Sequence, residues 1–222
     1  MKFNNLYIIC IVFMVFFTLS CSKMNDLHQS YLDEGEIIYA AKVDSVAPSA
    51  GKTRIQLEMF VISQRIESVR VYWNDYKDSV DIAVGNQTGS KIKMLENMEE
   101  KGYIFQFVSF DKFGHRSLPF EVTGKVYGNR FQASLTNRVV ASKTALVAGK
   151  TTITWSGAVD KGVRCDLTYT NISGVQVTKK VPMNVAKTDL LDLASDLKYR
   201  TLFLPEATAI DTFYTDYKSI VF

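Results

Sequence analysis

The segment that decides the fold is Tyr103-Ile104-Phe105-Gln106-Phe107-Val108-Ser109-Phe110, followed directly by Asp111-Lys112-Phe113-Gly114-His115-Arg116-Ser117. Tyr103, Phe105 and Phe107 occupy every second position, so an extended chain places all three on one face. The segment that follows is polar and contains a glycine, which is typical of a turn. The sequence therefore predicts a long strand at 103–110 with one buried face, closed by a turn at 111–117.

Similar runs lie on both sides of this segment. Residues 53–61 alternate between apolar and polar side chains, and residues 68–74 do so again with Trp73 as a core residue. The segment Pro-Ser-Ala-Gly at 48–51 indicates a turn. Further strands are predicted at 37–40, 78–84, 91–95 and 120–127. About seven short strands separated by turns are the pattern of a β-sandwich, which we assign to residues 36–127.

The second half has weaker motifs of the same kind, and Gly128-Asn129-Arg130 is the predicted boundary. The run 189–197 is compatible either with a short helix or with a strand followed by a turn. Strands are predicted at 145–150, 151–155 (ending at the structural residue Trp155), 163–170, 175–181, 199–205 and 211–222, with a hairpin turn at 171–174. We therefore expect a second β-sandwich over residues 128–222.

The N-terminus has the features of an exported lipoprotein. Lys2 precedes an apolar run from Leu6 to Phe17 that is too short for a comfortable membrane span, and Ser20-Cys21 follows. A small residue before a cysteine, just after an apolar core, is typical of lipoprotein processing. We expect residues 1–20 to be a signal peptide, Cys21 to carry lipid, and residues 21–35 to be a flexible tether. The alternative is an ordinary N-terminal anchor with an incidental cysteine.

Composition excludes several classes of protein. The 26 Lys and Arg residues against 23 Asp and Glu residues give a net charge of +3, too balanced for a nucleic-acid binder that relies on a strong basic field. The 47% apolar content is too high for a disordered chain. Once Cys10 leaves with the signal peptide and Cys21 is lipidated, Cys165 has no partner for an internal disulfide. Period-2 spacing places Cys165 on one face with Val163, Leu167 and Tyr169, where we expect a buried core thiol.

The strand at 103–110 and the turn after it resemble the penultimate strand of a fibronectin type III domain. The resemblance implies that Tyr103 is a tyrosine-corner residue whose hydroxyl bonds the backbone upstream. With the signal peptide, Cys21 and the spacer, the chain also resembles uncharacterised cell-envelope lipoproteins of Bacteroidota that begin with such a domain. The expected fold class is thus all-β, with two tandem immunoglobulin- or fibronectin type III-like sandwiches. The same resemblance implies O-glycosylation at Asp-Ser-apolar triplets, here at Ser45 and Ser79.

Motifs for chemistry are absent from the sequence. It contains no phosphate loop, nucleophile elbow, zinc motif or calcium loop, and we predict no catalytic residue, no metal site and no cofactor. Asp111 and His115 are too few for a metal site, and Glu99 and Glu100 are expected to be solvated in a turn. The better candidates for ligand contact are the aromatic pairs Tyr72/Tyr76 and Tyr214/Tyr217, which suit sugar stacking or a protein interface. The alternative is ordinary cross-strand packing of tyrosines on a sheet face.

These observations predict a lipid-anchored protein of the cell envelope, an outer-membrane lipoprotein that faces either the periplasm or the surface. Its expected role is non-enzymatic, as a binding or spacer module that captures a glycan or another envelope protein, with no nucleic-acid partner. The competing hypothesis is an adhesin or structural subunit that assembles by strand exchange.

Overall fold

The computed structural model describes residues 37–145 and 150–221. The first seven strands, in chain order, are β1 (Ser45–Ala50), β2 (Ile55–Val61), β3 (Ser68–Trp73), β4 (Asp78–Ala83), β5 (Gly89–Leu95), β6 (Gly102–Phe110) and β7 (Phe120–Lys125). They form two antiparallel sheets with the orders β1-β2-β5 and β4-β3-β6-β7. The inner faces of the two sheets enclose one core, as expected for a sandwich.

The core of this first sandwich follows from alternation along the strands. Along β2, Ile55, Leu57 and Met59 are buried while the residues between them are not. On β6, Phe105 and Phe107 are almost completely buried, in agreement with the period-2 pattern that predicted this strand. Fully burying side chains of this size contributes about 1.5–3 kcal/mol each.

The second half begins with helix α1 (Asn129–Ser134) and continues with eight strands. These are β8 (Val140–Ala145), β9 (Thr151–Trp155), β10 (Gly162–Asn171), β11 (Gln176–Pro182), β12 (Lys187–Leu190), β13 (Leu193–Phe203), β14 (Phe213–Tyr214) and β15 (Lys218–Ser219). One sheet has the order β12-β9-β8 and the other β11-β10-β13-β14, with β15 also paired to β13. This order matches that of the first sandwich strand for strand. The predicted fold class, two tandem fibronectin type III-like β-sandwiches, is confirmed.

The second core packs around Trp155 and Tyr199, whose ring centroids lie 5.3 Å apart. Cys165, Leu167 and Tyr169 face this core, as alternation along β10 predicts. Val163 was expected on the same face, but 43% of its surface is exposed. The reason is a shift of register between Gly162 and Arg164 in the pairing of β10 with β13, which turns Val163 outward.

Two predictions at the start of the first sandwich are wrong. Residues 37–40 contain no strand, although their apolar run suggested one. Residues 48–50 lie in β1 rather than in a turn, with Pro48 opposite Leu57. Among the described residues β1 pairs only with β2, so it is an edge strand, where a proline that lacks an N–H is tolerated.

In the second half the open alternatives resolve toward strands. The run 189–197 is the end of β12, a two-residue turn and the start of β13, so the helical alternative is wrong. The strand expected over 211–222 is reduced to the two-residue strands β14 and β15. Residues 146–149 of the strand predicted at 145–150 lie outside the described residues, and Lys150 is not in a strand.

The predicted signal peptide (1–20), the lipidation site Cys21 and the tether (21–35) also lie outside the described residues. Within the described residues no helix is long and apolar enough to span a bilayer. The described residues from Ala40 onward, which include both sandwiches, belong to one compact unit.

Candidate functional site

The aromatic pair Tyr72/Tyr76 lies on the first sandwich. Tyr72 is on β3 and half-buried, Tyr76 is in the β3–β4 turn and 53% exposed, and their ring centroids are 5.0 Å apart. The backbone of Asn74, Asp75 and Tyr76 is left-handed, with φ of +51°, +55° and +62°. Asn and Asp tolerate this region, whereas a tyrosine there is strained. The turn therefore presents the Tyr76 ring at an energetic cost.

The pair Tyr214/Tyr217 lies on the second sandwich, around an arginine that sequence reasoning missed. The Cζ atom of Arg200 is 3.9 Å from the ring centroid of Tyr214 and 4.8 Å from that of Tyr217. The Nζ atom of Lys198 lies 5.1 Å from the Tyr217 ring. Alternation along β13 places Lys198 and Arg200 on the outer face, but nothing local in the sequence predicts that both tyrosines stack on Arg200.

Across the sheet, Arg200 lies opposite Asp166 of β10. The carboxylate of Asp166 accepts a 2.8 Å hydrogen bond from Nε of Arg164 instead, and Nε of Arg200 is buried without a hydrogen-bond partner among the described residues. Cation–π contacts with two tyrosines thus take the place that an ion pair would fill for Arg200. They also fix the tyrosine rings, because each ring that packs on the guanidinium has fewer rotamers open to it.

Tyr214 also lines a groove of about 290 Å³ between α1 and β14. Its walls are Asn129, Gln132, Ala133, Leu135, Tyr214, Thr215 and Asp216. Oε1 of Gln132 accepts a 2.7 Å hydrogen bond from Nζ of Lys52, which leaves the amide N–H groups of Gln132 for other partners. The groove combines an aromatic ring with amide and carboxylate groups, and its volume lies just below the range of about 300–1,000 Å³ for small-molecule sites.

Helix α1, one wall of this groove, is positioned by Glu100. The carboxylate accepts hydrogen bonds of 2.7 Å from the backbone N–H groups of Arg130 and Phe131, and the Arg130 guanidinium donates to the Glu100 carbonyl oxygen. A Cβ on Gly128 would lie 2.9 Å from Oε2 of Glu100, so a side chain at position 128 would push on the carboxylate that holds the helix start. The expectation that Glu100 is solvated in a turn is wrong, because the carboxylate supplies acceptors for the unpaired N–H groups of the helix start.

The other wall, around β14, is fixed by contacts between the two sandwiches. Tyr127 packs against both Phe131 and Phe213, whose ring centroids lie 4.8 and 6.3 Å from its own. Its hydroxyl donates a 2.8 Å hydrogen bond to Oε1 of Glu206. Burial, with the added effect of the Glu206 carboxylate, raises the pKa of Tyr127 to about 12. We call these contacts, together with the pairing of Arg54 and Asp211, the junction.

The other predicted residues lie apart from the groove. Tyr103 donates its hydroxyl to the carbonyl oxygen of Glu99 at 3.1 Å, which is the geometry of a tyrosine corner. Trp73 is half-buried, 6.5 Å from Phe105 between ring centroids, and buried Trp155 donates from Nε1 to Oγ1 of Thr188 at 2.9 Å. Ser45 of β1 and Ser79 of β4 are both exposed on edge strands.

The side chains that could serve in acid–base chemistry, His115, Asp111 and Cys165, are paired with each other or buried. Nδ1 of His115 lies 2.9 Å from Oδ2 of Asp111 in the β6–β7 loop. Burial raises the pKa of the Cys165 thiol, which keeps it protonated and unreactive. Within residues 37–145 and 150–221 no three His, Cys, Asp or Glu side chains are grouped so as to hold a metal ion.

Comparison with known proteins finds similar solved structures but no match among curated proteins. No curated protein matches the sequence. Among solved structures, the chicken CNTN1 FN1–FN3 domains are 12% identical with a TM-score of 0.45, over 81% of this chain. The chain spans 63% of the length of that structure. A two-domain fibronectin type III segment from chicken tenascin is 12% identical with a TM-score of 0.32, covering 80% of this chain and 97% of the segment.

A family match covers most of the sequence. Residues 21–213 match a family described as a domain of unknown function. The match includes every strand of the first sandwich and β8 to β13 of the second, and it ends at the first residue of β14. The chain belongs to that family, DUF4998.

Proposed function

We propose that this chain is a non-enzymatic binding module of the cell envelope that captures glycans in the groove between α1 and β14. The observation that carries the proposal is the double role of Tyr214, which lines the groove and stacks on Arg200. A tyrosine ring offers an apolar face to the C–H groups of a sugar, and amide and carboxylate groups beside it suit the sugar hydroxyls.

The surroundings of Tyr214 favour this site over the pair Tyr72/Tyr76. Asn129, Gln132 and Asp216 provide donors and acceptors around Tyr214, and Arg200 holds its ring. A ring that is already fixed loses little conformational entropy when a ligand binds. Tyr76 is presented by a strained turn at an energetic cost, so we do not assign glycan contact to the pair Tyr72/Tyr76.

The cell-envelope setting is proposed from the sequence. The apolar run from Leu6 to Phe17 and the following Ser20-Cys21 support export and acylation of Cys21 at an outer membrane. The intact mass of the mature chain tests this directly. We expect cleavage before Cys21 and the added mass of acyl chains, both abolished by Cys21→Ser. The same measurement reports sugar at Ser45 and Ser79.

A glycan array followed by titration with the best ligand tests the binding role. We expect Tyr214→Ala to weaken binding by about ten-fold or more, and Tyr72→Ala, a matched change on the first sandwich, to leave it within two-fold, approximately the scatter expected for a residue outside the site. Asp216→Asn, which keeps the size of the groove, separates hydrogen bonding from stacking. A ligand whose affinity is unaffected by Tyr214→Ala, or no ligand on the array at all, contradicts the proposal.

One feature favours the competing role of a subunit that assembles by strand exchange. In the sheet β11-β10-β13-β14 of the second sandwich, the free side of β13 is covered only by the two-residue strands β14 and β15. Short edge pairing leaves backbone groups that a strand from another copy is able to pair with. Size-exclusion chromatography over a range of concentrations decides between the roles, because strand exchange predicts polymers and glycan capture does not require them.

A further inference from the structure

The loops of the first sandwich meet at two opposite ends. At one end, the N–H of Glu67 donates to the carbonyl oxygen of Phe110 at 2.8 Å, and the N–H of Ala40 donates to that of Arg116 at 3.2 Å. These bonds bring together segment 40–44, the β2–β3 loop (62–67) and the β6–β7 loop (111–119), which we call the N-terminal end. The opposite end carries the β1–β2 turn and contacts the second sandwich through Arg54.

The N-terminal end exposes large apolar side chains. Phe113 is 72% exposed, Leu118 is 55% exposed and Ile62 is 62% exposed. Side chains this open to solvent contribute little to the core of the sandwich. When several lie at one end of a domain, they mark a surface that contacts something else.

The β6–β7 loop is held in one conformation by Asp111. Its Oδ1 accepts hydrogen bonds from the N–H groups of Phe113 at 2.9 Å and His115 at 3.0 Å, and its Oδ2 lies 2.9 Å from Nδ1 of His115. Burial tends to raise the pKa of Asp111, but these hydrogen bonds outweigh it and lower the pKa. The ionised carboxylate therefore fixes the backbone of the loop, which lowers the entropic cost of ordering Phe113 at the moment of contact.

The exposed charges of this loop are both positive, whereas the other two segments of the N-terminal end together expose two cations and two carboxylates. Lys112 and Arg116 are exposed, whereas the only carboxylate of the loop, Asp111, is buried. Among the described residues neither cation forms an ion pair, and Nζ of Lys112 lies 4.9 Å from the Phe113 ring centroid. An aromatic ring flanked by cations suits a bilayer surface, with the ring at the headgroup boundary and the cations on anionic headgroups.

We propose that the N-terminal end of the first sandwich docks on an anionic lipid surface, with Phe113 inserted and Lys112 and Arg116 on the headgroups. The choice of a membrane over an acidic protein rests on the proposed acylation of Cys21. The chain enters the sandwich at this end, at Ala40, and Cys21 lies fewer than twenty residues before it. That segment reaches about 65 Å at most when fully extended, so a lipid on Cys21 keeps the start of the sandwich within that distance of the bilayer.

The test uses the mature, lipidated chain reconstituted in phosphatidylethanolamine vesicles with or without phosphatidylglycerol. An environment-sensitive thiol dye is attached at the N-terminal end in Gln64→Cys, and at the far end of the second sandwich in Ser173→Cys as the matched control. Cys165 is buried and does not compete for the dye. We expect a lipid-soluble quencher to act on the dye at position 64, and not at 173, and only when phosphatidylglycerol is present.

Substitutions in the β6–β7 loop separate the contributions of charge and of the aromatic ring to membrane docking. We expect Lys112→Gln and Arg116→Gln each to weaken docking, read from the dye at position 64, by about five-fold, because each basic side chain near an anionic surface strengthens binding by about that factor. Added salt is expected to weaken docking as well, because it screens these charges. Phe113→Ala reduces it with the charges unchanged. The proposal is overturned if the dye at 64 stays in water, if both dyes are quenched equally, or if an acidic protein binds Phe113 while vesicles do not. The intact mass of the same sample reports acylation of Cys21, so failure of the anchor and failure of docking are read separately.

Discussion

Arg54 and Asp211 form a bidentate salt bridge between the two sandwiches. Nε of Arg54 donates a hydrogen bond to Oδ2 of Asp211 at 2.8 Å, and Nη2 of Arg54 donates one to Oδ1 at 2.6 Å. The backbone N–H of Lys52 donates to the same carboxylate at 2.8 Å. A single side chain in the β13–β14 loop thus accepts three hydrogen bonds from the β1–β2 turn. Parallel N–H···O bonds of this kind fix orientation as well as distance, so the pair sets how the two sandwiches meet.

Asp211→Ala is expected to destabilise the junction by about 1–3 kcal/mol, because it leaves a partly buried guanidinium and a backbone N–H without their acceptor. Chemical denaturation with tryptophan fluorescence measures this, since Trp73 and Trp155 report separately on the two sandwiches. We expect the two transitions to move apart in the variant.

The matched control is Arg70→Ala, which removes a pair of similar geometry with Asp81 on the outer surface of a single sheet. Exposed pairs of that kind contribute little to stability, so the unfolding transitions of the two sandwiches are expected to stay together. Equal effects of Asp211→Ala and Arg70→Ala argue against a special role for the junction.

Gly51→Ala tests the same junction by steric means. A Cβ at position 51 would lie 2.6 Å from Oδ2 of Asp211 and 2.9 Å from Cγ of Arg54, closer than packed atoms approach. We expect a loss of stability of about 1–3 kcal/mol as the pair is forced apart. Gly102→Ala is the control, because nothing lies within 4 Å of a Cβ there. If urea unfolding gives the same midpoint for both variants, Asp211 and Arg54 move aside at no cost.

The junction is also expected to weaken at alkaline pH. Burial raises the pKa of Tyr127 to about 12, above its ordinary value of 10.0. Because the folded pKa is the higher one, the stabilisation from Tyr127 is complete below pH 10 and is lost as pH rises from there toward 12. Other buried tyrosines contribute in the same direction, so the measurement is a difference. The free energy of unfolding of the wild type is compared with that of Tyr127→Phe at each pH. We expect the wild type to lose stability relative to the variant between pH 10 and 12, and the difference to stay constant below pH 10.

The strands of the first sandwich follow from the sequence because their cause is local. Along β6, Tyr103, Phe105 and Phe107 are buried while Ile104 and Gln106 between them are not, and the turn at 111–117 closes the run with its own glycine. The misplaced turn at residues 48–51 shows the limit of such reasoning. A proline would break a strand in the interior of a sheet, which is why Pro48 suggests a turn. At an edge it is tolerated, and whether β1 lies at an edge depends on strand pairing far along the chain.

The candidate site was predictable only in part, for the same reason. Tyr214 and Tyr217 stand out as aromatic residues, but Arg200 joins them through the pairing of β13 with the last strands. The groove also needs α1, a six-residue helix with no acidic residue in its first turn. Its stabilising carboxylate comes from Glu100, thirty residues earlier, which only the folded chain brings to the helix.

Glu100 and Glu99 provide the sharpest comparison between neighbouring residues. Glu100→Ala removes both acceptors for the first N–H groups of α1, and loss of such a cap costs about 0.5–2 kcal/mol. Glu99→Ala removes a carboxylate that is 80% exposed and paired with Lys101, and it leaves the backbone carbonyl that binds Tyr103. We therefore expect Glu100→Ala to lower the free energy of unfolding and to speed amide hydrogen exchange in residues 129–134, and Glu99→Ala to do neither. Glu100→Gln keeps an acceptor oxygen and is expected to fall between the two. If Glu99→Ala and Glu100→Ala behave alike, the helix is held by the aromatic contacts of Phe131 alone, and the groove does not depend on Glu100.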